Sequence, residues 1–458
     1  MGCSVNAPFS KRAADNVKLA VQASGILDRA AFWRRVNGLS DALSSHPARR
    51  WALICEDSSW FAAGLLALAN SGRVIVVPPA PQAGSLSASG ARIDAVLSDR
   101  PEWFPNIDRM AISEPKTSTS TEMRLPEDTV RIEFFTSGST GTPKCVPKTF
   151  AQLRREVETL ESQWGGLLGN AVMVGTVPHY HLYGLLFRIL WPVLCGRPFL
   201  TSVCLHTASL RAAAKYGRCV IISSPAFLSR IDDISSLPQP AQVAAVFSSG
   251  APLPDNAAEH LAVGWGRAAI EVYGSTETGG VAWRAWSGPR ERTQWQPIQG
   301  VEIMLREESA GSRLWVRSGS TWQGEWMPTG DLARCDGDGR FVLMGRADDV
   351  VKFADKRISL GEMRAHLMAH EWVRDSRLLL IQGRRPLIGA VVVLEAHGRA
   401  ALAASGRLAV CEMLRSWLRN NYEPVMIPRK WRFIDTLPDT DMGKIEYQGL
   451  QQLFDQQT

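Results

Sequence analysis

The chain has 458 residues and a formal charge of +6, with 45% apolar and 21% charged residues. That length is more than one hydrophobic core supports, so two or more domains are expected, with a composition ordinary for a globular protein. The mild, scattered positive charge suits an anionic substrate and argues against a nucleic-acid partner, and apolar runs such as Phe61–Ala69 and Ala390–Leu394 are too short to span a membrane.

The eight cysteines stand singly, with no Cys-x-x-Cys pair. This argues against a disulfide framework or a zinc site and for a cytoplasmic protein. Met1-Gly2-Cys3-Ser4-Val5-Asn6 has Asn where myristoylation needs Ser or Thr, and no signal-like apolar stretch follows.

In chain order, residues 1–50 read as mixed and helix-like, with Ala30-Ala-Phe-Trp-Arg-Arg-Val36 placing apolar groups at helical spacing. Trp51–Cys55 reads as a buried strand, Ser59–Asn70 as a helix and Val74–Pro78 as a second strand. Strand, helix, strand at this spacing predicts a parallel α/β sheet, which Ala95–Ser98 extends. Glu114–Arg124 is polar and reads as a surface loop. After the segment 134–144 come a helix over Ala151–Trp164, a strand over Ala171–Val177, and a helix over Leu185–Leu194. Cys219–Ile222, Ala244–Phe247 and Ala269–Tyr273 are short buried strands. Polar or Gly-rich motifs repeatedly follow strands, which gathers them at the carboxyl edge of the sheet, where open α/β sheets bind ligands. From Gly300 to Val342 the pattern shortens into β-like pieces such as Arg313–Arg317 and Arg340–Met344. Gly345-Arg-Ala-Asp-Asp349 reads as a domain boundary. Beyond it, strands near Leu378–Ile381 and Ile388–Leu394 and a helix near Ala409–Asn420 fit a small α+β domain. His366 and His370 lie at i, i+4 without the Glu of a zinc motif and read as surface residues.

The most informative stretch is Phe134-Phe-Thr-Ser-Gly-Ser-Thr-Gly-Thr-Pro-Lys144. A strand runs into a loop of Gly, Ser and Thr closed by Pro-Lys. Small residues let the backbone approach a ligand, successive N–H groups and hydroxyls make a donor surface for phosphate, and Lys144 adds a point charge. A P-loop NTPase would need Gly-Lys followed by Ser or Thr, whereas Pro143 precedes Lys144 and Cys145 follows it. A flexible linker is a poor alternative, because an apolar strand leads into the loop.

Seven motifs in order resemble those of the adenylate-forming enzymes, which include acyl-CoA synthetases, luciferases and the adenylation domains of peptide synthetases. The resemblance implies a large α/β N-terminal domain with parallel sheets (1–347) and a small mobile α+β C-terminal domain (348–458). It implies that Thr136, Ser137, Gly138, Ser139, Thr140, Gly141 and Lys144 bind phosphates. His181, in Pro-x-x-His-x-x-Gly, resembles the histidine beside the carboxylate substrate. Ser249, Gly250 and Ala251 resemble the turn against adenine. In Tyr273-Gly274-Ser-Thr276-Glu277, the implied roles are adenine stacking for Tyr273, phosphate contact for Thr276 and Mg²⁺ binding for Glu277. Asp331, in Thr-Gly-Asp, and Arg346 resemble the ribose ligands, Asp348 the hinge, and Lys444, in a Gly-Lys loop, the catalytic lysine of adenylation. ATP, Mg²⁺, a small carboxylic acid, and CoA or a phosphopantetheinyl acyl carrier protein are the implied cofactors and partners.

Ala354-Asp355 stands where the family usually carries glycine beside the thiol channel, so adenylation without efficient thioester formation is an alternative outcome. Three longer stretches narrow the match: Cys55-Glu-Asp-Ser-Ser-Trp-Phe-Ala-Ala-Gly64, the segment from His179 to Pro192, and Ser223-Ser-Pro-Ala-Phe-Leu-Ser-Arg230. They resemble the AMP-dependent ligases of aryl polyene and xanthomonadin-type pigment pathways, implying a hydroxyaryl acid such as a hydroxybenzoate. A fatty acyl-CoA synthetase, a phosphotransferase that forms ADP, and a nucleotide-binding scaffold without chemistry are the competing expectations.

Overall fold

A computed structural model of the chain describes residues 18–22, 25–81, 86, 90–115, 120, 122, 128–137, 143–288, 294–308, 311–321, 324–335, 337–347, 350–353, 356–381, 387–437 and 447–455. The side chains of 136, 137, 143, 350–353, 356–358, 447, 448 and 455 are outside that description. The chain divides into two compact units. One comprises Met1–Arg292, Pro297–Glu302 and Arg317–Met327; the other comprises Thr293–Gln296, Ile303–Val316 and Pro328–Thr458. This division differs from the expected 1–347 and 348–458, because strands between 303 and 346 cluster with the C-terminal unit.

In the first unit a hairpin of β1 (Lys18–Gln22) and β2 (Gly25–Asp28) precedes helix α1 (Arg29–Ser44). Within the mixed, helix-like reading of the first 50 residues, the hairpin is the part not expected. Strand β1 has only five residues, too few for the alternation to stand out. Asp28 then caps α1, its carboxylate accepting from the Ala31 N–H at 2.7 Å.

Strand β3 (Arg50–Ile54), helix α2 (Ser58–Asn70) and strand β4 (Val74–Val77) form the expected strand–helix–strand unit, with β3 and β4 parallel. Strands β5 (Ala95–Ser98), β6 (Arg109–Ala111), β7 (Arg131–Ser137) and β8 (Pro143–Thr149) complete a sheet ordered β6-β5-β3-β4-β7-β8. All its pairings are parallel except the β7–β8 hairpin. The second sheet of this unit contains β9 (Val172–Gly175), β10 (Phe199–Val203), β11 (Cys219–Ser223), β12 (Val243–Ser248), β13 (Ile270–Ser275) and β14 (Gly279–Ala285), in the order β14-β13-β12-β11-β9-β10-β1-β2.

Almost every residue of α2 is buried, which matches a helix apolar on all sides. It packs on β3 and β4 of one sheet and on β10 of the other. Asp57 caps it through the Ser59 and Trp60 N–H groups, and the Ser58 hydroxyl donates to the Thr201 carbonyl of β10 at 2.6 Å. Helix α3 (Phe150–Leu168) begins directly at the end of β8 with a capping box between Thr149 and Gln152.

The expected helix over Leu185–Leu194 is present, but Leu185–Leu190 has the wider π register, with Trp191 N–H bonding Leu186 rather than Phe187. Pro192 follows and has no N–H to offer an i−4 bond. The buried Arg188 on this segment donates to the carbonyls of Val177 (2.6 Å) and Ser202 (3.3 Å), tying the ends of β9 and β10 together. A Cβ on Gly175 would fall 2.0 Å from the Arg188 side chain, so this position has no room for one.

In the second unit, strands β15 (Gln294–Pro297), β16 (Glu302–Glu308), β17 (Gly311–Arg317), β18 (Met327–Cys335) and β19 (Phe341–Arg346) run in the order β16-β17-β18-β19-β15. A small hairpin, β20 (Val350–Phe353) with β21 (Lys356–Ser359), leads to helix α4 (Leu360–Met368). Strands β22 (Val373–Ile381), β23 (Leu387–Leu394) and β24 (Lys430–Phe433) form a separate sheet against α4 and helix α5 (Ala396–Leu418). Helix α5 is longer than expected, because Gly406 interrupts its periodicity with a kink at φ 75°. His366 and His370 are half-buried rather than surface residues: His366 Nδ1 lies 2.7 Å from the Tyr422 hydroxyl, and His370 packs edge-on against Trp417. Among the described residues, no helix is long and apolar enough to cross a membrane.

His179 is fully enclosed, its Nε2 at 2.9 Å from the Cys55 carbonyl, and burial together with the nearby Arg188 charge lowers its pKa to about 3. A neutral buried imidazole costs nothing above pH 6.5; below it the unfolded chain binds a proton that the folded chain refuses until about pH 3. We therefore expect His179→Gln to flatten the decline of unfolding free energy between pH 6 and pH 4 by about 1.4 kcal/mol per pH unit, one proton's worth. Urea titrations of both proteins across that range check it; parallel slopes would contradict it.

Candidate active site

The β7–β8 hairpin presents the phosphate-binding candidate. Its register pairs Thr136 with Lys144 and Ser137 with Pro143, so the backbone closes on the five residues between. Gly138, Ser139, Thr140 and Gly141 lie outside the described residues, as do Asp348 and Lys444. Lys144 is 65% exposed, and its Nζ stands 3.3 Å from Glu277 Oε1. Two motifs 133 residues apart therefore meet at one point.

Glu277 belongs to the turn between β13 and β14. Gly274 is required there: a Cβ would fall 2.1 Å from the Gly279 carbonyl oxygen across the turn. The Ser275 and Thr278 hydroxyls close the turn on themselves at 3.1 Å, and the Ser275 N–H donates to Thr278 Oγ1 at the same distance. Burial pushes the Glu277 carboxyl up. Its own backbone N–H, the Lys144 cation and the Ser275 hydroxyl together outweigh this and hold it below the usual carboxylate range. Glu277 is thus an anion with a half-exposed oxygen. Among the described residues, no cluster of three acidic, His or Cys side chains could hold a metal. One carboxylate beside a phosphate loop nevertheless fits Mg²⁺, which keeps several waters and binds through one or two carboxylates plus substrate phosphates.

The same strand reaches the Glu277 main chain. Lys144, Val146 and Lys148 share one face of β8. Lys148 is 2% exposed, and its ammonium donates to the Glu277 carbonyl at 2.7 Å and to the Ser320 carbonyl at 2.8 Å. Burial lowers its pKa, against the pull of Glu156 and Glu277. Glu156, fully buried on α3, is pushed up by burial and accepts from the Gly280 N–H at 3.3 Å. Gln152 Nε2 donates to the carbonyls of Ser320 and Thr321. Sequence reading did not single out Lys148, Glu156 or Gln152. The available signal was a lysine in phase with Lys144 and Val146 on a strand that ends in a capped helix.

Tyr273 and Gly274 continue β13, and the Ser249 hydroxyl, just past β12, donates to the Val272 carbonyl at 2.8 Å. Gly250 adopts φ 103°, which lets the 249–251 turn reverse beside β13. The adenine candidates Ser249, Gly250, Ala251 and Tyr273 thus stand at the carboxyl ends of adjacent parallel strands. Thr276 is half-buried in the same turn as Glu277. His181 lies after β9 on a separate loop, half-buried, with its ring 5.0 Å from that of Tyr180. Gly184 in this motif is dictated by packing, since a Cβ would meet the Pro178 carbonyl oxygen at 1.9 Å. Of the two histidines in the motif, His179 is the buried, neutral one and His181 the accessible one.

In the second unit, Asp331 on β18 and Arg346 on β19 are direct cross-strand partners. The Arg346 guanidinium lies over Gly330, where a Cβ would come within 2.5 Å of it, and the Ala347 N–H donates to the Gly330 carbonyl at 2.8 Å. The Thr329 hydroxyl fixes the strand by donating to the Leu314 carbonyl at 2.9 Å. The two ribose candidates are therefore brought side by side.

Residues 11–325 match the family model described as AMP-binding enzyme. The 4-coumarate–CoA ligase of Rhodobacter capsulatus is 30% identical over 319 residues, covering 69% of this chain and 75% of that protein. The 4-coumarate–CoA ligase of Cereibacter sphaeroides is 27% identical over 316 residues, covering 69% and 70%. The crystal structure of ATP-bound MatB from Rhodopseudomonas palustris superposes with a TM-score of 0.82 at 18% identity, covering 99% of this chain and 98% of that one, and shows that the fold is shared. The chain belongs to the AMP-binding enzyme family, with the α/β fold of adenylate-forming enzymes.

Because the Lys144–Glu277 pair is exposed, it adds little to stability. We expect Lys144→Ala to weaken ATP binding about tenfold, the scale of one charge-assisted contact, while the melting temperature stays within about 2 °C. Calorimetric titration with ATP and a thermal melt check this. Unchanged affinity would remove Lys144 from the phosphate site.

Proposed function

We propose that the protein is an ATP- and Mg²⁺-dependent acid–thiol ligase that works through an acyl-adenylate. In the first step a carboxylate oxygen of the acid attacks the α-phosphorus of ATP. The bond from that phosphorus to the bridging oxygen breaks, and pyrophosphate leaves. In the second step the thiol sulfur attacks the acyl carbon, AMP departs with the carboxylate oxygen, and the thiol proton passes to solvent. The observation that carries this reading is the meeting of Lys144 and an ionised Glu277 at the mouth of the Ser/Gly hairpin.

The chemistry demands such a pair. Both reactants are anions, and the transition state gathers charge on the α-phosphate and the leaving pyrophosphate. Lys144 and the 136–144 loop receive phosphate oxygens, Thr276 adds a hydroxyl donor, and Glu277 holds Mg²⁺, which neutralises phosphate charge when bound. Tyr273 and the 249–251 turn take adenine, Asp331 and Arg346 the ribose hydroxyls, and His181 the carboxylate end of the acid. Lys444 supplies the cation that completes adenylation, and rotation of the 348–458 segment about Asp348 exchanges it for the thiol step.

For the acid we favour an aryl carboxylate, in line with the likeness to the pigment-pathway ligases. The thiol belongs to CoA or to a phosphopantetheinyl carrier protein. A second reading, adenylation with little thioester formation, is favoured by Ala354-Asp355 in place of glycine. Among the described residues, Cys55, Cys145, Cys195, Cys204, Cys219, Cys335 and Cys411 form no disulfide, which fits a cytoplasmic location.

An ATP–pyrophosphate exchange assay with benzoate, 4-coumarate, cinnamate and fatty acids tests the proposal, with exchange expected on an aryl acid. With that acid, Lys444→Ala should lower exchange at least about a hundredfold, the scale of one lost transition-state contact. Thioester formation from supplied acyl-AMP should stay within about twofold of wild type if Lys444 acts only in the first step. Equal loss of both half-reactions would contradict the separation of steps, and ADP as product would contradict the ligase.

A further inference from the structure

The Lys148 ammonium is a buried cation that the adenylation scheme leaves without a task. It stands at the centre of three elements. Its own strand β8 carries Lys144 at one end. One hydrogen bond holds the Glu277 carbonyl at 2.7 Å, and another holds the Ser320 carbonyl at 2.8 Å. Gln152, on the first turn of α3, grips the same 318–321 turn from beside it. Glu156, one turn further along α3, interacts electrostatically with Lys148 and anchors the residue after Gly279 through the Gly280 N–H.

The consequence concerns Glu277. Its carboxylate meets Lys144 in solvent, a contact that substrate can displace. Its main chain is fixed from behind by an ammonium with 2% exposure, which solvent cannot replace. An ammonium rather than an apolar group is needed there because two carbonyl oxygens converge on the point, and each lacks this donor if the nitrogen is removed. We propose that Lys148 is a positioning residue for the nucleotide-bound metal: by clamping the Glu277 carbonyl to the 318–321 turn, it sets where the Glu277 carboxylate meets Mg²⁺. The inference rests on the reading that Glu277 holds that ion.

The test compares the full-length wild type with Lys148→Met, Lys148→Arg and Glu277→Gln. For each, ATP affinity is measured by calorimetry with EDTA and again with saturating Mg²⁺, and the melting temperature is recorded. The readout is the factor by which Mg²⁺ tightens ATP. Lys148→Met should cut that factor about fivefold or more, the cost of a mispositioned charged contact, while metal-free affinity stays within about twofold. Lys148→Arg, whose fork can reach both carbonyls, should recover most of it. A wild-type factor in Lys148→Met, even with a lowered melting temperature, would reduce Lys148 to a structural residue and overturn the proposal. So would equal losses with and without Mg²⁺. If Lys148→Met does not fold, Lys148→Gln, which keeps a shorter donor, takes its place with the same criteria. Glu277→Gln separates the two levels: an undiminished Mg²⁺ factor there would show that Glu277 does not hold the ion, and the reading beneath the proposal would fail first.

Discussion

The constraint on which the site depends is the double hold that strand β8 exerts on Glu277. Lys144 meets the carboxylate and Lys148 the carbonyl of the same residue, from one face of one strand. Strand β8 is itself fixed by its antiparallel partner β7 and by the capped helix that begins at Phe150. Its Lys144 end is tied to a turn 133 residues away in the chain. The electrostatics follow from the same arrangement. Its own backbone N–H and Lys144 hold the Glu277 carboxyl below the usual range against burial, while burial lowers the Lys148 pKa against the pull of Glu156 and Glu277.

The two parallel sheets make this convergence possible. Parallel strands end their hydrogen-bonded runs at one edge, so the residues that follow β9, β12 and β13 emerge together. The helix α2 packs on strands of both sheets and is buried along nearly its whole length, which accounts for its lack of a polar face. Arg188 ties the ends of β9 and β10, where its guanidinium donates to the Val177 and Ser202 carbonyls. His179 and Gly184 serve this packing, which leaves His181 as the histidine of that motif with access to solvent.

Much of the fold was readable because its strands are short, apolar and β-branched. Trp51–Cys55, Cys219–Ile222 and Ala244–Phe247 all fall on observed strands within a residue or two. The β1–β2 hairpin escaped, since five residues of Lys-Leu-Ala-Val-Gln sit beside a helical pattern that dominates any longer window. The compact units are divided within the stretch of β strands from Ile303 to Arg346. The strands between Ile303 and Arg346 read correctly as β structure, but sequence periodicity does not say with which core a strand packs. At the site, the motifs single out Lys144, Glu277, Asp331 and Arg346, and the fold places Lys144 beside Glu277 and Asp331 opposite Arg346. Lys148, Glu156 and Gln152 were not legible, because a lysine aimed at two carbonyls has no local signature. Its role exists only once residues 277 and 320 have been brought to it by the fold.

In the proposed reaction a carboxylate and the α-phosphate of ATP meet at the Lys144–Glu277 junction. The most direct measurement is isotope transfer from an aryl acid labelled with ¹⁸O in its carboxylate, followed by mass analysis of the nucleotide product after thioester formation. The account predicts AMP carrying one ¹⁸O atom, because the attacking oxygen stays on phosphorus when the thiol displaces it. Unlabelled AMP, or ADP in place of AMP, would contradict it.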